Sequence, residues 1–242
     1  MSMEKVDYGD LLPGEFEARL AQRPAAYLPL GTLEWHGVHG PLGADYIQSQ
    51  ELFRRAARAF GGIVLPPLWL GPDRRAEEGE HAGLIGMDYA PTTDPHRQLP
   101  GSLYWVPKEF FHQLVEAVLA QAKRAGFACV VADGHGPSRW AFGESVDAWE
   151  LQFDLKLVSV TRDFPEGWQS QVDHAGKNET SILLAAAPNL VDMSLLPEDR
   201  DIQPEGTSGG SSDPRDASPE HGETCLETSL ALIGKKLDEL GI

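Results

Sequence analysis

What most constrains this chain is an alternation of short, wholly apolar runs with segments whose apolar residues recur every three or four positions. The runs are AAYLPLG (25–31), GGIVLPPLWLG (61–71), FACVVADGHG (127–136) and LKLVSVT (155–161); between them lie YIQSQELFRRAARAF (46–60) and PKEFFHQLVEAVLAQAKRAG (107–126). Apolar runs without polar alternation suit strands buried on both faces, and the intervening period suits amphipathic helices. Their order predicts βαβ units, and therefore an α/β fold with a mostly parallel sheet covered on both sides. Lys123 and Arg124 just before Gly126 mark the end of the second helix. A length of 242 residues fits two small domains or one large one, and we expect a single domain over 1–242.

Two segments interrupt the rhythm. Residues 72–100 form a long polar connection with little periodicity, and 197–222 are rich in Gly, Ser, Pro and acid. Connections this long are functional lids or disordered, and composition alone reads the second as a flexible linker. The chain closes on EHGETCLETSLALIGKKLDELGI, an expected amphipathic helix.

A formal charge of −17 with no basic cluster argues against nucleic acid or anionic membrane as partner and leaves a small molecule or a metal. Only Cys129 and Cys225 occur, so neither a disulfide framework nor a CxxC zinc site is readable. The start MSMEKVDYGD lacks a signal-peptide pattern, and no apolar run approaches the roughly 20 residues of a membrane span. The expected compartment is the reducing cytoplasm.

In an open α/β sheet, ligands collect at the carboxyl ends of the strands. Glu34, His36, His39 and Asp45 follow the first apolar run, in GTLEWHGVHGPLGAD, and His135 follows the third, in VVADGHGPSRW. Asp173, His174 and Glu179 stand together in DHAGKNETSILLAAAP. Carboxylates and neutral imidazoles suit borderline divalent metals, and a shared carboxylate can bridge two ions about 3.5–4 Å apart. Each piece also has a plainer reading: a loop histidine as a surface group, GHG as a turn, Glu179 as an acid favoured in a first helical turn.

Taken in order, the segments resemble the creatininase (creatinine amidohydrolase) family. LPLGTLEWHGVHGPLGAD is similar to its opening signature L-P-x-G-S-x-E-x-H-G-x-H-L-P-x-x-T-D. LPGSLYWVPKEF, GFACVVADGHG, DHAGKNETSILLAAAPNLVDMS and GGSSDPRDASPEHG resemble its later segments, in family order across most of the chain. The resemblance implies a three-layer α/β/α fold, an assembly of six subunits as a trimer of dimers, and two divalent ions per subunit. It also implies that 206–222 folds against the site or a neighbouring subunit, contrary to the linker reading.

On this resemblance the ligands are Glu34, His36, Asp45 and His135, with Asp45 bridging, Glu34 and His135 on one ion and His36 on the other. Creatininase's remaining glutamate would stand two residues beyond His135, where this chain has Pro137, which cannot bind a metal; Glu179 of the E-T-S segment is the expected replacement. His174 corresponds to the proposed catalytic histidine, with Glu179 also counted among the catalytic groups. His39, Trp35, Glu80, His81, Asp133, Arg139 and Asp173 are candidates for substrate contact or support, as are the rings of Trp140 and Trp168. Mixed N/O ligation admits zinc, manganese or iron, zinc being the first expectation. The implied reaction is attack of activated water on a small cyclic amide or a linear amide or formamide C–N bond. Ring opening of an oxidised inositol ketone is the alternative within the family, and a non-catalytic binding or assembly module the alternative outside it. Asp133 and Pro137-Ser138 depart from the family pattern and weigh against creatinine itself.

Overall fold

Four parallel strands form the centre: β1 (Ala25–Leu30), β2 (Ile63–Val64), β3 (Cys129–Gly134) and β4 (Lys156–Ser159), in the spatial order β2-β1-β3-β4. They belong to a computed structural model that describes residues 5–164, 173–207 and 212–242; Trp168 lies outside them. β1 and β3 run side by side along their whole length, from Ala25 opposite Cys129 to Leu30 opposite Gly134. Both are buried at every position, as their unbroken apolar runs require.

Because side chains alternate across a strand, the two faces of the sheet build two separate cores. Ala26, Leu28, Leu30, Val130 and Ala132 pack against α3 (Lys108–Ala125) and α4 (Gly136–Phe153), through Phe111, Val115, Leu119, Phe142 and Trp149. Ala25, Tyr27, Cys129 and Val131 face α2 (Ala44–Phe60) and α7 (Pro219–Glu239), through Phe53, Ala56, Leu226 and Ile233. The result is the three-layer α/β/α arrangement. α1 (Pro13–Gln22) precedes β1, a short α5 (Val160–Asp163) follows β4, and α6 (Lys177–Ala186) packs on α7. No helix among the described residues is long and apolar enough to cross a membrane.

Three local outcomes differ from the sequence pattern. The run 61–71 yields only a two-residue strand, because Pro66 and Pro67 have no N–H to extend a ladder. GHG, readable as a turn, instead leads directly into the 18-residue helix α4, with His135 just before it and Gly136 and Pro137 in its first turn, where a missing N–H costs nothing. The described part of 197–222 is no linker. Gly206 accepts the Gly37 N–H at 2.9 Å, Thr207 accepts the Thr92 hydroxyl at 2.5 Å, and Ser212 Oγ accepts the Lys177 N–H at 2.9 Å. It thus folds onto the loop after β1.

Candidate metal centre

Three chain segments converge at the carboxyl end of the sheet. The loop after β1 carries Glu34, His36 and His39 and ends at Asp45, in the first turn of α2. Gly134 ends β3 with φ of 145°, a conformation open to glycine, and a side chain there would strike the Leu30 backbone; this tight crossing delivers His135 as the residue before α4. The third segment is the start of α6. Asp173 accepts the N–H groups of Asn178 at 2.8 Å and Glu179 at 3.0 Å, while Glu179 Oε2 accepts the Ala175 N–H at 2.8 Å. Asp173 therefore caps the helix that presents Glu179.

The side chains meet in three overlapping groups: Glu34 with His36 and His174, Glu34 with Asp73 and His135, and His36 with Asp45 and Glu179. Asp45 Oδ2 lies 3.6 Å from His36 Nε2 and 3.3 Å from His135 Nδ1. Glu34 Oε1 lies 2.9 Å from His135 Nδ1, and Glu179 Oε2 lies 3.6 Å from His36 Nε2. His36 Nε2, Asp45 Oδ2 and His135 Nδ1 are buried and have no hydrogen-bond partner of acceptable geometry. Each imidazole is instead tied from behind: His36 Nδ1 to the Glu34 carbonyl at 3.2 Å, His135 Nε2 to the Pro72 carbonyl at 3.1 Å. A carbonyl takes the ring N–H, which fixes the tautomer and aims the other nitrogen's lone pair inward. Orphaned lone pairs converging around one carboxylate oxygen are the donor set a pair of divalent ions needs, so these residues fit a metal centre.

Without a cation the cluster is electrostatically frustrated. Burial pushes Glu179 up, with the Asp45 charge adding to it and His36 opposing, to about 8. Burial opposes charge on His36, but Asp45, Glu179 and Glu34 outweigh it and raise the imidazole to about 10. Burial also disfavours the Glu34 carboxylate, yet His135 and His174 hold it down to about 2.

His174 gives Nε2 to the Trp35 carbonyl at 2.8 Å and turns Nδ1 toward Glu34 Oε1, 3.7 Å away. Burial lowers its pKa, Glu34 pulls the other way, and His36 lowers it further. His39 stands behind the cluster with Nε2 2.9 Å from Thr180 Oγ1, and burial with the nearby His36 lowers it to about 4. Asp133 and Arg139 lie 3.4 Å apart; burial raises Asp133 to about 6 against the pull of Arg139. The Trp35 ring donates to the Pro100 carbonyl at 2.7 Å, so it is the Trp35 backbone that addresses the site. A cavity of about 500 Å³ reaches the cluster, walled by Met87, Ala90, Pro137, Arg139 and Trp140 among others. Glu80 and His81 are not in that wall: they sit 3.4 Å apart near the surface, with His81 against His96. One carboxylate in the wall, Asp73, carries no motif. The only signal for it was position, since it follows β2 as Glu34 follows β1 and His135 follows β3.

The family model for creatininase, described as creatinine amidohydrolase, matches residues 10–237. The chain belongs to the creatininase family. Creatinine amidohydrolase from Pseudomonas putida is 26% identical over 273 residues, covering 98% of this chain and 97% of the relative. A crystal structure of creatinine amidohydrolase (creatininase) superposes with a TM-score of 0.70 at 25% identity, covering 97% of each chain. A mutant creatininase of zinc–zinc type superposes at 0.69 with 24% identity, covering 97% of this chain and 98% of its own. This creatininase-family chain is therefore a hydrolase. Its Pro137 lies in the first turn of α4 and offers no ligand atom, while Glu179 comes within 3.6 Å of His36 from another helix.

Proposed function

We propose that the protein is a dinuclear metal-dependent hydrolase that cleaves a small cyclic amide or a linear amide or formamide C–N bond. The observation that carries this reading is Asp45 Oδ2, placed between His36 Nε2 and His135 Nδ1 at 3.6 and 3.3 Å, with none of the three atoms hydrogen-bonded. Glu34, Asp45 and His135 would hold one ion, and His36, Asp45 and Glu179 the other. Bound there, two divalent ions supply Lewis-acid polarisation of a carbonyl and a water whose pKa falls to about 7. Zinc is the first candidate, with manganese and iron next.

The chain's own groups do the rest. His174, held through Nε2 by the Trp35 carbonyl, keeps a free lone pair on Nδ1. Its lowered pKa leaves it neutral near pH 7, so it can take a proton from an attacking water and return it to the departing nitrogen. Met87, Ala90 and Pro91 give the cavity an apolar side that limits water around a small substrate.

The test is a screen of zinc-, manganese- and iron-loaded protein against creatinine, lactams, formamides and inososes, with metal per chain counted in each sample. Two ions per chain and turnover of an amide support the reading. Turnover of inososes alone would replace the amide assignment, and an Asp45→Ala protein that kept both ions would sink the bridging role.

A further inference from the structure

We propose that Asp73 is a further metal ligand, which completes the half of the centre formed by Glu34 and His135; this rests on the dinuclear reading above. The donor atoms of Glu34, Asp73 and His135 lie within 4.8 Å of one another. Asp73 adjoins the peptide that fixes His135, since it directly follows Pro72, whose carbonyl takes the His135 Nε2–H. Asp73 Oδ2 is 3.9 Å from that same nitrogen, beyond hydrogen-bond range, and the nitrogen is already committed. The histidine thus does not explain the carboxylate.

The loop is built around this side chain. Residues 74–86 make a hairpin-like excursion, with Arg75 bridged to Ile85, the Gly83 N–H on the Ala76 carbonyl at 2.8 Å and the Gly86 N–H on the Arg74 carbonyl at 2.8 Å. Gly86 returns the chain with φ of 56°, and a side chain there would strike Asp73 Oδ2. Backbone therefore closes over the carboxylate and leaves its side chain only 5% exposed. Nearby Asp88 shows what a structural carboxylate does here: its two oxygens accept the N–H groups of Leu99 at 2.8 Å and Ile85 at 3.1 Å. Asp73 instead gives Oδ1 to the Arg74 N–H at 2.6 Å, while the residue lines the cavity that reaches the centre.

Two carboxylates buried side by side lose hydration and repel each other, and a cation between them offsets both costs. Glu34, Asp45, Asp73 and Glu179 together carry four negative charges, which two divalent ions balance.

The experiment titrates metal-free protein with zinc(II) against a chromophoric chelator and records the visible spectrum of the cobalt(II)-loaded form. Wild-type protein is expected to take two ions. Asp73→Asn, close to isosteric, should weaken one of the two by at least about tenfold and change the cobalt spectrum. Gly86→Ala keeps the carboxylate but displaces it, should weaken the same ion, and decides the matter if Asp73→Asn fails to fold. Wild-type affinities and an unaltered cobalt spectrum in the folded variant would overturn the assignment. Wild-type protein that binds no zinc would instead remove the dinuclear centre, and this ligand with it.

Discussion

His36, His135 and His174 each give one ring nitrogen to a backbone carbonyl and point the other at a carboxylate. What separates them is the carboxylate they face. His36 and His135 share Asp45 Oδ2, whereas His174 Nδ1 stands 3.7 Å from Glu34 alone. His174→Gln should therefore leave two ions per chain and lower kcat by about 10²–10⁴-fold, the usual range for a lost proton shuttle; elemental analysis beside steady-state kinetics checks it, and loss of metal would make His174 a ligand. The cluster's titration gives a second expectation. With Glu179 raised to about 8 and His36 to about 10, both hold a proton at pH 7 in metal-free protein, and both must lose it to bind metal. Zinc binding should thus release protons, and affinity should climb as pH rises from 7 toward 8. Calorimetry at pH 7 in buffers of different ionisation enthalpy reads the release; heats that do not depend on the buffer would contradict it. Of the candidate ligands brought together here, Glu34, His36, Asp45 and His135 were legible because each follows a readable strand within a motif. Asp73 was not, because its burial depends on Gly86, thirteen positions along a loop without periodicity.

At the scale of elements, α6 matters most, because Glu179 sits in its first turn and reaches the centre only if that turn is wound. Asp173 bonds the N–H groups of Asn178 and Glu179 and receives the Ser212 hydroxyl, tying the helix start to the late loop. Asp173→Ala should cost about 1 kcal/mol of stability through the lost cap and loosen the hold on the ion nearest Glu179. Urea unfolding with a zinc titration measures both, and an unchanged unfolding midpoint would show that the cap contributes nothing. The helices 46–60 and 107–126 were readable within two residues at each end, because the apolar period and Gly126 mark them. α4 was hidden by its opening Gly-Pro, which means a turn in one context and a helix start in another.

At the scale of the whole molecule, the candidate ligands come from places far apart in sequence, 34–45, 73, 135 and 179, so metal bound there would join α2, α4 and α6 across the end of one sheet. Ions that bind only the assembled site stabilise the fold by mass action, by about 2.7 kcal/mol per site at a hundredfold excess over Kd. Chelator-treated protein should accordingly melt lower than zinc-loaded protein, and equal melting temperatures would argue against ions bridging these elements. The sequence by itself determined the layered parallel architecture, since buried strands and amphipathic helices follow from local apolar pattern, and it marked the strand-end residues that motifs carry. The tertiary structure alone decided that the acidic late loop packs on the loop after β1, that Glu179 faces His36 while Pro137 offers nothing, and that a donor atom of Asp73 comes within 4.8 Å of those of Glu34 and His135. These depend on contacts between residues distant in the chain, and no local pattern encodes them.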